Sequence, residues 1–118
     1  MAGEKNFENR LKRWLDAQGI WYVKFFANRN TRAGVPDILA CINGRFVGIE
    51  LKGPNGKPSP LQIYHCGKIT ESGGIAVIVW PDDFAQFKRL VQRLKEKGGN
   101  CDVQDLIFEG RYLHPLPA

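Results

Sequence analysis

Much is missing from this chain, and each absence excludes something. Its 118 residues include three cysteines, Cys41, Cys66 and Cys101, an odd and widely spaced set without a C-x-x-C pair. Only His65 and His114 could join them as ligands. No zinc site and no disulfide framework is therefore expected, and a reducing cytoplasm is. No apolar stretch is long enough for a membrane span, and the opening Met-Ala-Gly-Glu-Lys-Asn has no signal-peptide core. Internal repeats, low-complexity tracts and a helix-turn-helix or zinc module for reading base sequence are absent as well.

What remains is a foldable, basic chain. Hydrophobic residues make up 43% and charged residues 25%, enough apolar content to bury a core. The length suits one domain over 1–118, with a core at about 4–98 and an extension at 99–118. The net charge of +5 favours a polyanionic partner without specifying one.

The first segment reads as a helix. Asn6 is a candidate N-cap, Phe7, Leu11, Trp14 and Leu15 form one apolar stripe, and Gly19 is the stop. IWYVKFF (Ile20 to Phe26) is aromatic and β-branched, which favours a strand. A polar loop with Arg29 and Arg32 follows, then two strands joined at Asn43-Gly44. Ser59-Pro60-Leu61-Gln62 opens a second helix as N-cap, first-turn proline and capping-box partner, and Gly73-Gly74 ends it near Ser72. IAVIVW (Ile75 to Trp80) is a strand buried on both faces. Asp82 or Asp83 can cap a last helix with the stripe Phe84, Phe87, Val91 and Leu94, closed by Gly98-Gly99. The tail, Asn100 to Ala118, has apolar content but no clean period and reads as a short strand or a packing arm. The predicted order is α-β-β-β-α-β-α: an antiparallel three-strand meander, then a right-handed crossover to a fourth strand parallel to the third.

The hairpin carries the chemistry. A type I′ turn at Asn43-Gly44 sets Ile42 against Arg45, and counting back sets Asp37 against Glu50. Directly opposed residues have Cβ atoms about 4.5–5.5 Å apart, and alternation puts Lys52 on the face of Glu50. The other face receives Ile38 against Ile49 and Ala40 against Val47, which is sound core pairing. Opposed carboxylates repel, and a hard cation such as Mg²⁺ reverses the sign of that interaction. Pro36, lacking a ladder donor, marks an accessible sheet end. The plainer alternative is a solvated strand end in which Lys52 neutralises both acids.

With those residues in place, Gly34-Val35-Pro36-Asp37 followed by Glu50-Leu51-Lys52 resembles the virus-type replication–repair nuclease (VRR-NUC) family of the PD-(D/E)XK superfamily. The resemblance implies an α/β restriction-endonuclease-like core with a mixed four-stranded sheet flanked by helices. It implies Mg²⁺ or Mn²⁺ held by Asp37, Glu50 and the Leu51 carbonyl, and Lys52 orienting the attacking water or stabilising the phosphate. Glu8 matches the family's upstream acid and would be needed for a second ion. From the residues alone, Glu8 could form a solvated i,i+4 pair with Lys12. At 100° per residue, though, it lies next to Leu15 on the edge of the buried stripe, where it could point toward the sheet. Gln62 matches the family's helix glutamine, although the capping box competes for the same side chain. Lys24, Arg29, Arg32, Lys57 and Lys68 flank the site and are candidate DNA contacts.

Small stand-alone members, common in bacteriophages, are similar to dimeric junction-cleaving enzymes. The expectation is thus a metal-dependent DNA endonuclease, a homodimer acting on branched DNA of the Holliday-junction type. The alternatives are a flap or end-processing nuclease of the same chemistry, and a non-catalytic basic nucleic-acid-binding protein.

Overall fold

The computed structural model describes residues 2–26, 33–97 and 113–114. Helix α1 runs over Ala2–Ala17, so Asn6 is not its N-cap but an exposed residue inside it. The helix starts earlier because Ala2, Glu4 and Lys5 carry it past Gly3, with Glu4 placed favourably in the first turn. It ends in a Schellman motif: the Ile20 amide donates to the Leu15 carbonyl at 3.1 Å and the Gly19 amide to Asp16 at 3.0 Å.

Strand β1 (Trp21–Lys24) is shorter than the aromatic run that predicts it. It pairs antiparallel with β2 (Ile38–Ile42), which pairs antiparallel with β3 (Arg45–Leu51). The register is the predicted one, from Ile42 opposite Arg45 to Ile38 opposite Ile49. Asn43 and Gly44 both have positive φ, at 49° and 85°, as a type I′ turn requires.

Helix α2 (Pro60–Glu71) begins with Ser59 as N-cap in a full capping box. It crosses to β4 (Ile75–Val79), parallel to β3 and buried throughout. A short 3-10 turn at Pro81–Asp83 leads into helix α3 (Phe84–Lys97). There Asp83 accepts a hydrogen bond from the Trp80 amide at 3.2 Å. Gly98-Gly99 lies outside the described residues. A two-residue strand, β5 (Leu113–His114), pairs antiparallel with β4. The predicted four-stranded mixed sheet is therefore present with one short strand added, in the order β1-β2-β3-β4-β5.

Alternation divides the sheet into two faces. On one, Ile38, Ala40, Val47, Ile49, Leu51, Val77 and Val79 pack with Phe7, Leu11 and Leu15 of α1 and Phe87, Val91 and Leu94 of α3. Leu11 has no solvent exposure, and truncating such a leucine to alanine costs about 2–5 kcal/mol. On the other face α2 packs Cys66 and Ile69 against Ala76, Ile78 and Trp80. Asp37 and Glu50 belong to this second face by parity. Among the described residues no helix is long and apolar enough to cross a membrane.

Candidate active site at the end of the sheet

The site forms where β2 begins and β3 ends. Asp37 sits one residue before the β2 ladder, so it is not a ladder pair of Glu50 but its neighbour in the same register. Its carboxylate is held by the chain itself: Oδ2 accepts from the Leu51 amide at 3.1 Å, and its carbonyl accepts from the Phe25 amide at 2.7 Å. In an extended strand the amide and carbonyl of one residue face the same edge, so the Leu51 carbonyl looks toward Asp37. The next amide, Lys52, points the other way, to the Val79 carbonyl at 3.0 Å.

Glu50 is the unusual residue. It is 3% exposed. Its Oε2 accepts from the Gln62 amide nitrogen at 2.8 Å and lies 3.5 Å from the Lys52 ammonium. Its Oε1 is buried with no hydrogen-bond partner. Burial above all, and then the Asp37 charge, push its carboxyl up to about 8 against the opposing pull of Lys52. The same surroundings push the buried Cys66 thiol up to about 12, first by burial and then by the Glu50 charge, so Cys66 is no nucleophile.

Gln62 resolves a conflict foreseen in the sequence. One amide was expected to serve either the capping box or the site, and it serves both. Its Oε1 accepts from the Ser59 amide at 2.8 Å, while its Nε2 donates to Glu50. An amide group has separate donor and acceptor ends, so neither role excludes the other.

Glu8 approaches from the opposite face. It is buried, at 5% exposure, but it does not join the acid pair. Its Oε1 lies 2.9 Å from Lys24 Nζ, and its Oε2 lies 3.0 Å from Lys12 and 3.8 Å from Lys5. Burial alone would raise its carboxyl; the bonds and charges of Lys24 and Lys12 outweigh that and hold it below the usual value. Among the described residues, no group of three His, Cys, Asp or Glu side chains is placed to hold a metal ion. The oxygen donors at this end of β3 are Asp37 and Glu50, with the Leu51 carbonyl on the edge that faces Asp37, while Glu8 is engaged by lysines.

The proposed DNA contacts divide. Lys24 is not a surface cation: its ammonium bonds Glu8 and lies 3.8 Å from Asp37 Oδ1. Lys57 and Lys68 are exposed, Lys68 beside Glu71 at 3.7 Å. Arg29 and Arg32 lie outside the described residues.

Two features went unread in the sequence. Lys24 shares its face of β1 with Tyr22, which packs on the core, and the strand's own alternation is the signal for that. Gly34 has φ 86°, and a Cβ there would lie 2.7 Å from the Leu61 carbonyl. Only glycine lets the Gly34-Val35-Pro36-Asp37 segment pass this close to α2.

Comparison with protein-family models and with curated proteins returns no match. Solved structures do match. A VRR_NUC domain superposes with a TM-score of 0.60 and 26% identity, covering 81% of this chain and 97% of that one. The structure of Archaeoglobus fulgidus Hjc, a Holliday junction resolvase from an archaeal hyperthermophile, superposes with a TM-score of 0.52. It shares 19% identity and covers 64% of this chain and 66% of that one, a likeness of fold. The architecture is that of a VRR_NUC nuclease domain, and these neighbours support a nuclease of the PD-(D/E)XK-like class. The similarity to the VRR_NUC domain supports the VRR-NUC reading of the sequence within that class.

Proposed function

We propose that the protein is a divalent-metal-dependent DNA endonuclease that cleaves branched DNA, junctions above all. The observation that carries the metal reading is the orphaned Glu50 Oε1, buried beside Asp37 on a carboxyl pushed up to about 8. A buried acid with an unused oxygen next to a second acid fits a hard cation with oxygen ligands, Mg²⁺ or Mn²⁺. Asp37, Glu50 and the Leu51 carbonyl would hold it. When bound, such an ion supplies Lewis acidity to the scissile phosphate and acidifies a bound water.

The chain's own side chains do the rest. Lys52, with its side chain 13% exposed and close to Glu50, places a fixed ammonium where negative charge grows on the phosphate. Gln62 keeps Glu50 turned toward the site, and the Leu51 amide does the same for Asp37. Lys57, in the loop after β3, offers a phosphate contact, whereas Lys68 lies toward the other end of the sheet, beside Phe46, Ser72 and Gly74. The junction preference draws support from the Archaeoglobus neighbour, itself a Holliday junction resolvase. A two-fold homodimer suits a substrate with paired strands to cut. The exposed Trp21, Val23 and Phe46, on one face of the sheet by register, give it apolar surface.

The test is incubation with junction, flap, duplex and single-stranded DNA, with Mg²⁺, with Mn²⁺ and with chelator. Metal-dependent cutting of junctions, lost in Asp37→Ala and Lys52→Ala, is expected. Cutting that persists in either variant would falsify the assignment. A preference for flaps makes it an end-processing enzyme, and tight binding without cutting in any metal makes it a binding protein. Light scattering reads the oligomeric state.

A further inference from the structure

Four lysines crowd three acids at this sheet end, and one of them is placed unlike the rest. Lys5 and Lys12 reach Glu8 from its own helix, at i−3 and i+4. Lys52 accompanies Glu50 from the same strand. Lys24 alone spans two acids on different elements: its Nζ lies 2.9 Å from Glu8 Oε1 on α1 and 3.8 Å from Asp37 Oδ1 at the start of β2. It rises from the last position of β1, paired with Ile38, and its side chain is 23% exposed. The Phe26 ring flanks the ammonium at 6.0 Å. This is a cation positioned by the sheet between two carboxylates, each of which also has a second partner.

We propose that Lys24 is a positioning residue that takes the place of a second metal ion and so limits the site to one divalent ion, at Asp37 and Glu50. The inference rests on the metal reading above and adds to it. A divalent ion shared by Glu8 and Asp37 would draw both carboxylates to about 2.0–2.1 Å, whereas the ammonium holds them at hydrogen-bonding and ion-pair range. With Lys24 in place the charge of Glu8 is already met, and a second dication would have to displace a half-buried, bonded ammonium. Asp37 keeps one oxygen directed by the Leu51 amide and the other by Lys24, which sets its carboxylate plane for the ion it shares with Glu50. Glu8 is then an anchor for Lys24 and not a ligand.

The test counts ions. Mn²⁺ is titrated into the full chain without DNA, and free Mn²⁺ is followed by its electron paramagnetic resonance signal. The proteins are wild type, Lys24→Arg, Lys24→Met, Glu50→Gln and the double variant Lys24→Met/Glu8→Gln, each checked for folding by circular dichroism. Wild type and Lys24→Arg are expected to bind one ion per chain, and Glu50→Gln none. Lys24→Met is expected to bind two, the second lost again in the double variant. Two ions on the wild type overturn the proposal, and that measurement needs no variant. A folded Lys24→Met that binds one ion with unchanged affinity overturns it as well, leaving the metal reading intact. A wild type that binds none brings down the metal reading and this inference with it.

Discussion

Glu8 and Glu50 are both glutamates buried to a similar degree, 5% and 3% exposed, at the same end of the same sheet, and their environments are opposites. Glu8 has three ammonium groups within 4 Å and a carboxyl held below its usual value. Glu50 has one ammonium at 3.5 Å, a neighbouring acid, an unused oxygen and a carboxyl pushed up to about 8. Burial alone disfavours the ionised form of both. What separates them is depth, since more protein surrounds Glu50, together with the number of cations the fold supplies. Glu8 is neutralised by its ion pairs, although its Oε2, like Glu50 Oε1, has no hydrogen-bond partner, so it holds structure together. Glu50 is left short, which suits a group that takes its missing cation from solution.

Breaking Glu50's side of the comparison should have the largest effect. Lys52→Ala is expected to slow cleavage about 10²–10³-fold, and Glu50→Gln at least as much. The second substitution has a further signature. Because it removes a carboxyl that the metal-free fold keeps from ionising, Glu50→Gln should raise the denaturation midpoint at pH 8.5 in chelator while abolishing Mn²⁺ binding. A midpoint that falls would mean that Glu50 is already compensated and the contrast is wrong.

The same contrast gives the pH dependence its sign. In the unfolded chain Glu50 ionises near 4.5, in the folded metal-free protein near 8. Between those values the folded state holds the extra proton, so its stabilisation is full below pH 4.5 and is lost as pH rises through 8. Glu8 works the other way, stabilising above its ordinary value and losing that as pH falls. Urea unfolding in chelator should therefore show stability declining from pH 6 to 8.5, by roughly 2–4 kcal/mol. Mn²⁺ should flatten the decline, since binding favours the ionised carboxylate and displaces the proton.

How far the sequence reveals this depends on which contacts are local. The Asn43-Gly44 turn and the alternation of Ile38, Ala40, Val47 and Ile49 carry the hairpin register, and with it the placing of Asp37, Glu50 and Lys52 on one face. Ser59-Pro60 and Gly73 mark α2 to within a residue or two. Lys24 shows where legibility ends. Its inward face follows from strand alternation, but its bond to Glu8 joins residues 16 apart in the chain and depends on how α1 crosses the sheet. Asn6 misled because a capping residue is also tolerated within a helix when better formers precede it. The Gln62 conflict arose from counting side chains where hydrogen-bonding atoms should have been counted.

Opening the neutralised side is expected to cost stability more than chemistry. Glu8→Gln leaves Lys24 with Asp37 alone, at 3.8 Å, and Lys12 without its carboxylate. Both keep partial access to water, with side chains 23% and 26% exposed, so the loss should be about 1–3 kcal/mol, below the 3–5 typical of a fully buried pair. Calorimetry reads it directly. Mn²⁺ affinity at Asp37 and Glu50 should change much less than in Glu50→Gln. If Glu8→Gln removes Mn²⁺ binding while the protein stays folded, Glu8 is a ligand and the two glutamates are not opposites.

The smallest effect separates scaffold from site within a single amide. Ser59→Ala removes the hydroxyl that accepts from the Gln62 backbone at 3.2 Å but keeps the Ser59 amide that donates to Gln62 Oε1. It should cost about 1 kcal/mol of stability, with Mn²⁺ affinity and cleavage as in wild type, because the Gln62 side chain stays anchored. Gln62→Ala removes that anchor and the bond to Glu50 together, and should weaken Mn²⁺ about 10–100-fold, as loss of a ligand-orienting group does. Gln62→Glu is the sharper variant: it still accepts from the Ser59 amide, yet it sets a third carboxylate against Glu50 in place of a donor. Helix stability should then hold while the Glu50 carboxyl is driven higher, so Mn²⁺ binding at neutral pH falls and recovers as pH is raised. If Gln62→Glu binds Mn²⁺ as wild type does across that range, the bond to Glu50 is incidental and only the cap matters.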